Sequence, residues 1–213
     1  MNTATPPSLP AAYGDERQRD VANHLGMWTF IATEVLFFGG LFLAYVVYRV
    51  AYPAAFAAGS HTLNFWRGTL NTAVLLTSSL TMAMGDAYIK RGRRTALRNC
   101  VAATASLGVL FLAIKASEYQ EMYAKHLVPG LPFDPAASPP LQLFVFLYFA
   151  MTGLHAVHML IGLGLMAWLL RLNQRGRLTA AHHAPVEMFG LYWHFVDCVW
   201  VFLYPLLYLI PQR

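Results

Sequence analysis

Residues 141–170 read LQLFVFLYFAMTGLHAVHMLIGLGLMAWLL, with no aspartate, glutamate, lysine or arginine among them. About 20 apolar residues suffice to cross the hydrocarbon of a bilayer, so this run predicts a transmembrane helix. It lacks alternation and far exceeds the ~10 residues of a membrane-barrel strand. Three similar runs precede it, His24 to Tyr48, Phe65 to Tyr88 and Leu97 to Tyr119, and one follows, Glu187 to Ile210. Together they predict an all-α integral membrane protein, a bundle of five transmembrane helices. Residues 24–213 form that membrane domain, and residues 1–23 are expected to be a flexible lead-in.

Composition agrees with a membrane solvent. Hydrophobic residues make up 57% of the 213 and charged residues only 12%, about half the usual globular share. In water such a chain would expose large apolar patches. The net charge of +5 does not imply nucleic acid, because the basic residues sit in short loops between apolar runs rather than on a free face. Cys100 and Cys198 are expected at different depths, which argues against a disulfide, and their spacing matches no metal pattern. Both read as small packing residues. The first 20 residues carry Pro6, Pro7, Pro10 and the mixed-charge run from Asp15 to Asp20, which is not the pattern of a signal peptide.

Loop charge predicts orientation. Lys90, Arg91, Arg93, Arg94 and Arg98 lie between the second and third runs, Arg171, Arg175 and Arg177 between the fourth and fifth, and Arg17 and Arg19 in the lead-in. In a five-span chain these three segments share one side. The positive-inside rule makes that side cytoplasmic, so the N-terminus is expected inside and the C-terminus outside. The opposite loops hold Pro53 and the run of Pro129, Gly130, Pro132, Pro135, Pro139 and Pro140.

Ionisable groups inside a membrane are costly and call for a reason. Glu34 lies about ten residues into the first run, roughly 15 Å along the helix, with Ile31, Val35, Phe37, Phe38 and Leu41 around it. It needs a partner from another helix or must be held neutral, either as an interhelical hydrogen bond or as a proton-handling or lipid-organising site. In the fourth run Thr152, His155 and Gly162 share one helical face, and His158 is slightly rotated from it. Two histidines three apart could bind metal, but a site needs more ligands, so interhelical hydrogen bonding is the simpler reading. His194 and Asp197 are also three apart and can face one neighbour, as a structural network. Lys115 and Glu118 read as an ion pair near the external interface, or as a site for a lipid headgroup. No phosphate-binding loop, nucleophile elbow or acid–base pair is present. The residues by themselves therefore imply a helical bundle with buried polar contacts; they derive no catalytic residue, and they leave haem ligation by His155, His158 or His194 open.

Four segments carry a more specific signal. Gly26 to Gly40 (GMWTFIATEVLFFGG), Lys115 to Tyr119 (KASEY), Thr152 to Gly162 (TGLHAVHMLIG) and Tyr192 to Trp200 (YWHFVDCVW) resemble, in order, the motifs of the cytochrome c oxidase subunit III family. The resemblance covers residues 24–208. It implies a subunit without redox metals of its own, packed beside subunit I of a haem–copper oxidase, with haem and copper held by subunits I and II. It implies a role in complex stability, sustained turnover, proton uptake and phospholipid binding. The family match also implies that Glu34 meets the two-histidine helix, with His158 as the expected partner. Many members of that family have seven helices. The five runs here match the last five, and the two unmatched helices form one wall of the lipid cleft.

Five-helix relatives occur in bacterial cytochrome c oxidases, in quinol oxidases and beside nitric oxide reductases. The latter two tend to carry aspartate where this chain has Glu34, which favours cytochrome c over quinol as donor to the complex. The resemblance places the chain in a bacterial inner membrane. Two rivals of other classes are a free-standing proton or ion transporter, which would use the buried acids and histidines, and a membrane b-type cytochrome. Transporters usually show broken helices and repeats, and neither is visible here.

Overall fold

The computed structural model describes residues 16–128 and 138–209. Among them six helices follow one another: α1 (Glu16–Ala51), α2 (Pro53–His61), α3 (Phe65–Lys90), α4 (Arg94–Ala124), α5 (Pro139–Gln174) and α6 (Ala184–Tyr208). No strand occurs among the described residues. The five apolar runs map onto the five long helices. α1 starts at Glu16, eight residues ahead of the boundary read from the sequence. The proline-rich stretch of residues 129–137, the first 15 residues and the last four lie outside the described residues.

α2 was not anticipated. It is short and alanine-rich, and Pro53 sits at its first turn, where a fixed φ and a missing N–H cost nothing. α5 has 36 residues, about 54 Å at 1.5 Å per residue. That exceeds the ~30 Å hydrocarbon, so its ends reach past the membrane core or the helix tilts.

Four helices, α1, α4, α5 and α6, are long and apolar enough to cross a membrane. α3 is long but less apolar, because Thr69, Asn71, Thr72, Ser78, Ser79 and Thr81 interrupt it. The structure explains this composition. α3 packs between α4 and α6, and its hydroxyls bond inward to Trp193, Trp200, His194, Tyr204 and Thr104. Interhelical hydrogen bonds of this kind hold bundles together in lipid, where hydrophobic contrast between helices is absent.

The two basic loops lie at the same end of the bundle. α3 and α5 both stop at a glycine of positive φ, Gly92 (72°) and Gly176 (77°), the left-handed conformation that closes a helix. Beyond these turns Arg94 donates to the Asn173 carbonyl, and Asn173 Nδ2 donates to the Arg94 carbonyl at 3.1 Å. At the other end the last turn of α6 runs on past Pro205 to Tyr208. Its carbonyls at Leu206 and Leu207 accept from Tyr45 Oη of α1 (2.8 Å) and Ser60 Oγ of α2 (2.7 Å). These bonds satisfy helix-end acceptors that would otherwise be orphaned.

The core is aromatic and tightly packed. Trp193 and Trp200 are fully buried, and the backbone opposite Trp193 is glycine. A Cβ at Gly162 would lie 2.6 Å from the indole, and one at Gly108 3.2 Å from it. α1 is different. It docks on α5 and α6 through Phe38 and Tyr45, while Leu36, Val35, Phe37, Leu43, Val47 and Val50 face outward. The two cysteines are unpaired. Cys100 packs near Gly85, but Cys198 is exposed on the outer face, which corrects its reading as a packing residue.

Candidate functional site

Three buried polar centres occupy the bundle. The first joins α1 to α5. Glu34 Oε2 lies 3.3 Å from His158 Nε2, so the acid in the first apolar run does meet the two-histidine helix. His158 Nδ1 is 2.9 Å from the Leu154 carbonyl, an atom that only accepts, so Nδ1 carries a proton. Nε2 is then the nitrogen that faces the acid. The alignment falls short of a hydrogen bond, and Oε2 has no other partner. Phe38 packs on the His158 ring at 5.5 Å, and the Glu34 side chain stays 20% exposed.

From this geometry Glu34→Gln is expected to leave the fold intact, because an amide N–H can donate to Nε2. Glu34→Ala removes the acid that faces Nε2 and is expected to cost about 1–3 kcal/mol, the scale for an orphaned buried polar group. Thermal unfolding of the purified complex reads both, with sustained turnover as the second readout. A Glu34→Gln variant that folds but passes no electrons would refute a supporting role for this contact.

The second centre is built on α4. Lys115 and Glu118 are one turn apart and buried, with Nζ 2.9 Å from Glu118 Oε2. The same ammonium donates to Tyr208 Oη at 2.7 Å and Tyr148 Oη at 3.0 Å. Tyr208 Oη in turn donates to Glu118, 2.7 and 2.8 Å from its two oxygens. All three ammonium N–H groups thus go to internal partners, and the rings of Trp200 (5.2 Å) and Tyr148 (4.7 Å) face the charge. The arrangement is an ion pair, as the spacing suggested, but it lies inside the bundle. Next to it Tyr119 Oη and Thr152 Oγ1 are 2.6 Å apart. Sequence reasoning missed Tyr148 and Tyr208. The one signal available was that Tyr148 lies one turn before Thr152 on the same face.

The third centre lies on α6. His194 Nδ1 is 2.7 Å from Ser79 Oγ, and Asp197 is buried beside them with the same Ser79 hydroxyl as its polar neighbour. His155 is also buried without a partner, between Phe111 (5.5 Å) and Trp200 (5.4 Å). The histidines therefore diverge: His158 turns to α1, His155 to α4 and α6, and His194 to α3. Among the described residues no three of His, Cys, Asp and Glu come together as metal ligands do.

Comparison with known proteins converges on one family. The family model described as cytochrome c oxidase subunit III matches residues 19–211. The cytochrome c oxidase subunit 3 of Synechocystis sp. is 35% identical over 186 residues, 87% of this chain and 74% of the relative. That of Thermostichus vulcanus is 33% identical over 189 residues, covering 88% and 87%. That of Sus scrofa is 33% identical over 189 residues, covering 86% and 67%. The matched region contains all three polar centres, and each of the four motif segments contributes a side chain to one of them. By sequence and by this arrangement the chain belongs to the cytochrome c oxidase subunit III family, as one subunit of a membrane-bound haem–copper oxidase.

Proposed function

We propose that this chain carries no redox centre and serves the oxidase by supporting its stability, proton uptake and lipid contacts. Haem and copper then reside in partner subunits I and II, with which it assembles, and cytochrome c rather than quinol feeds the complex. The observation that carries this reading is the divergence of His155, His158 and His194, each engaged with or sealed by a different neighbour. The outward apolar face of α1 supports a lateral position, against either a partner subunit or lipid tails. The location is a bacterial inner membrane, crossed five times, α3 being the least apolar crossing. The joined basic turns at Gly92 and Gly176 then face the cytoplasm, with the N-terminus inside and the C-terminus outside.

Purification in mild detergent through a tag on this chain tests the role. Haem-containing subunits should co-purify, and the preparation should consume oxygen with reduced cytochrome c. A haem spectrum from the isolated chain would overturn it. Reporter fusions at residues 94, 130, 175 and 213 test the topology. Activity of a cytoplasm-only reporter is expected at 94 and 175, and activity at 130 would sink the orientation.

A further inference from the structure

The aromatic core has a polar interior whose hydrogen bonds are incomplete. Trp200 is its hub. Its Nε1 donates to Thr72 Oγ1 at 3.1 Å, its ring lies 4.8 Å from Phe111 and 5.4 Å from His155, and Lys115 Nζ sits 5.2 Å from its centroid. Asn71 is next to Thr72 on α3. The antiparallel pairing of α3 with α4, Arg67 with Glu121 and Thr81 with Thr104, puts Asn71 within a turn of the level of Lys115. Asp197 lies one turn before Trp200 on α6. Asn71 and His155 are each 1% exposed and Asp197 3%. Asn71 Oδ1 and Nδ2 and His155 Nδ1 and Nε2 lack a hydrogen-bond partner within the chain, whereas the Ser79 hydroxyl lies against the Asp197 carboxyl.

Buried polar groups of folded proteins are almost always satisfied, by protein or by ordered water. The burial of Asn71 and His155 rules out a donor from a partner subunit. The chemistry selects the ligand. A neutral imidazole offers one N–H and one lone pair, and an amide offers both N–H groups and lone pairs. A partner for both must donate and accept. A cation would use only the lone pairs, and the Lys115 ammonium across the Trp200 ring opposes a second positive charge. We infer that the core of α3, α4, α5 and α6 holds bound water at the level of Trp200, hydrogen-bonded to Asn71 and His155. Such waters typically make about three hydrogen bonds each.

The test uses the assembled oxidase. A high-resolution density map should show water within about 2.7–3.2 Å of the Asn71 and His155 side chains. Asn71→Leu and His155→Phe remove partners of that water, and each should lower the unfolding temperature of this subunit in the complex by about 2–4 °C. The double variant should lose less than the sum, because the waters are shared. A dry core predicts the opposite, since deleting an unpaired buried polar group in favour of an apolar one is neutral or stabilising. Unchanged or raised unfolding temperatures in both variants would therefore overturn the inference. So would a map in which the four atoms are satisfied by protein alone. The map of the unaltered complex decides the matter even where a variant fails to assemble.

Discussion

Lys115→Met is expected to destabilise the subunit by about 3–5 kcal/mol, the cost of removing one partner from a buried ion pair. The substitution roughly keeps the volume of the side chain but leaves Glu118 as a buried carboxylate with only the Tyr208 and Tyr148 hydroxyls beside it. It also removes the ammonium that donates to Tyr148 Oη. The double variant Lys115→Met with Glu118→Leu is expected to regain most of the loss. A buried ion pair replaced by well-packed apolar groups is often neutral or stabilising, and in lipid the apolar pair loses nothing to its surroundings. Denaturation in detergent and the yield of this chain in the purified complex read the effect. A double variant as unstable as the single would show that the tyrosine contacts, and not the stranded carboxylate, dominate.

Trp193→Ala is expected to cost about 3–5 kcal/mol, the range for removing a large aromatic from a packed core. The indole is fully buried, stacks on Phe189 at 6.0 Å and donates to Ser78 Oγ at 3.1 Å. It is also what makes glycine necessary opposite. Gly162→Ala alone should cost about 1–3 kcal/mol through overpacking, because the new Cβ would meet the ring at 2.6 Å. In the Trp193→Ala background the same change enters the space the indole left, and its cost should vanish. Gly164→Ala, where the Cβ meets open space, serves as the control. Equal cost for Gly162→Ala in both backgrounds would refute the contact as the reason for the glycine.

The fold class was legible in the sequence because the requirement for a membrane span is local. Each run must be apolar over its own length, and no other part of the chain is needed to see it. The same is true of the spacing of Lys115 and Glu118, and of the basic loops, whose two turns the structure then joins through Arg94 and Asn173. The resemblance supplied the meeting of Glu34 with His158. α2 escaped notice because nine residues carry too little periodic signal, and the weak hydropathy of α3 is intelligible only once its neighbours are known.

What the tertiary structure decided was which helix each polar face meets. Helical periodicity sorts residues onto faces but says nothing of the helix opposite. Tyr208 reaches Glu118 across 90 positions of chain, and Ser79 reaches His194 across 115. The sequence presented Lys115 with Glu118 as an interfacial pair open to a headgroup. Only packing showed that Tyr148, Tyr208 and Trp200 enclose it, since enclosure depends on side chains from three helices arriving at one depth. The sequence by itself determined a membrane bundle of a given family. The assembled helices determined that the Lys115–Glu118 pair is inside, because a charge in lipid persists only where several neighbours together supply its hydrogen bonds.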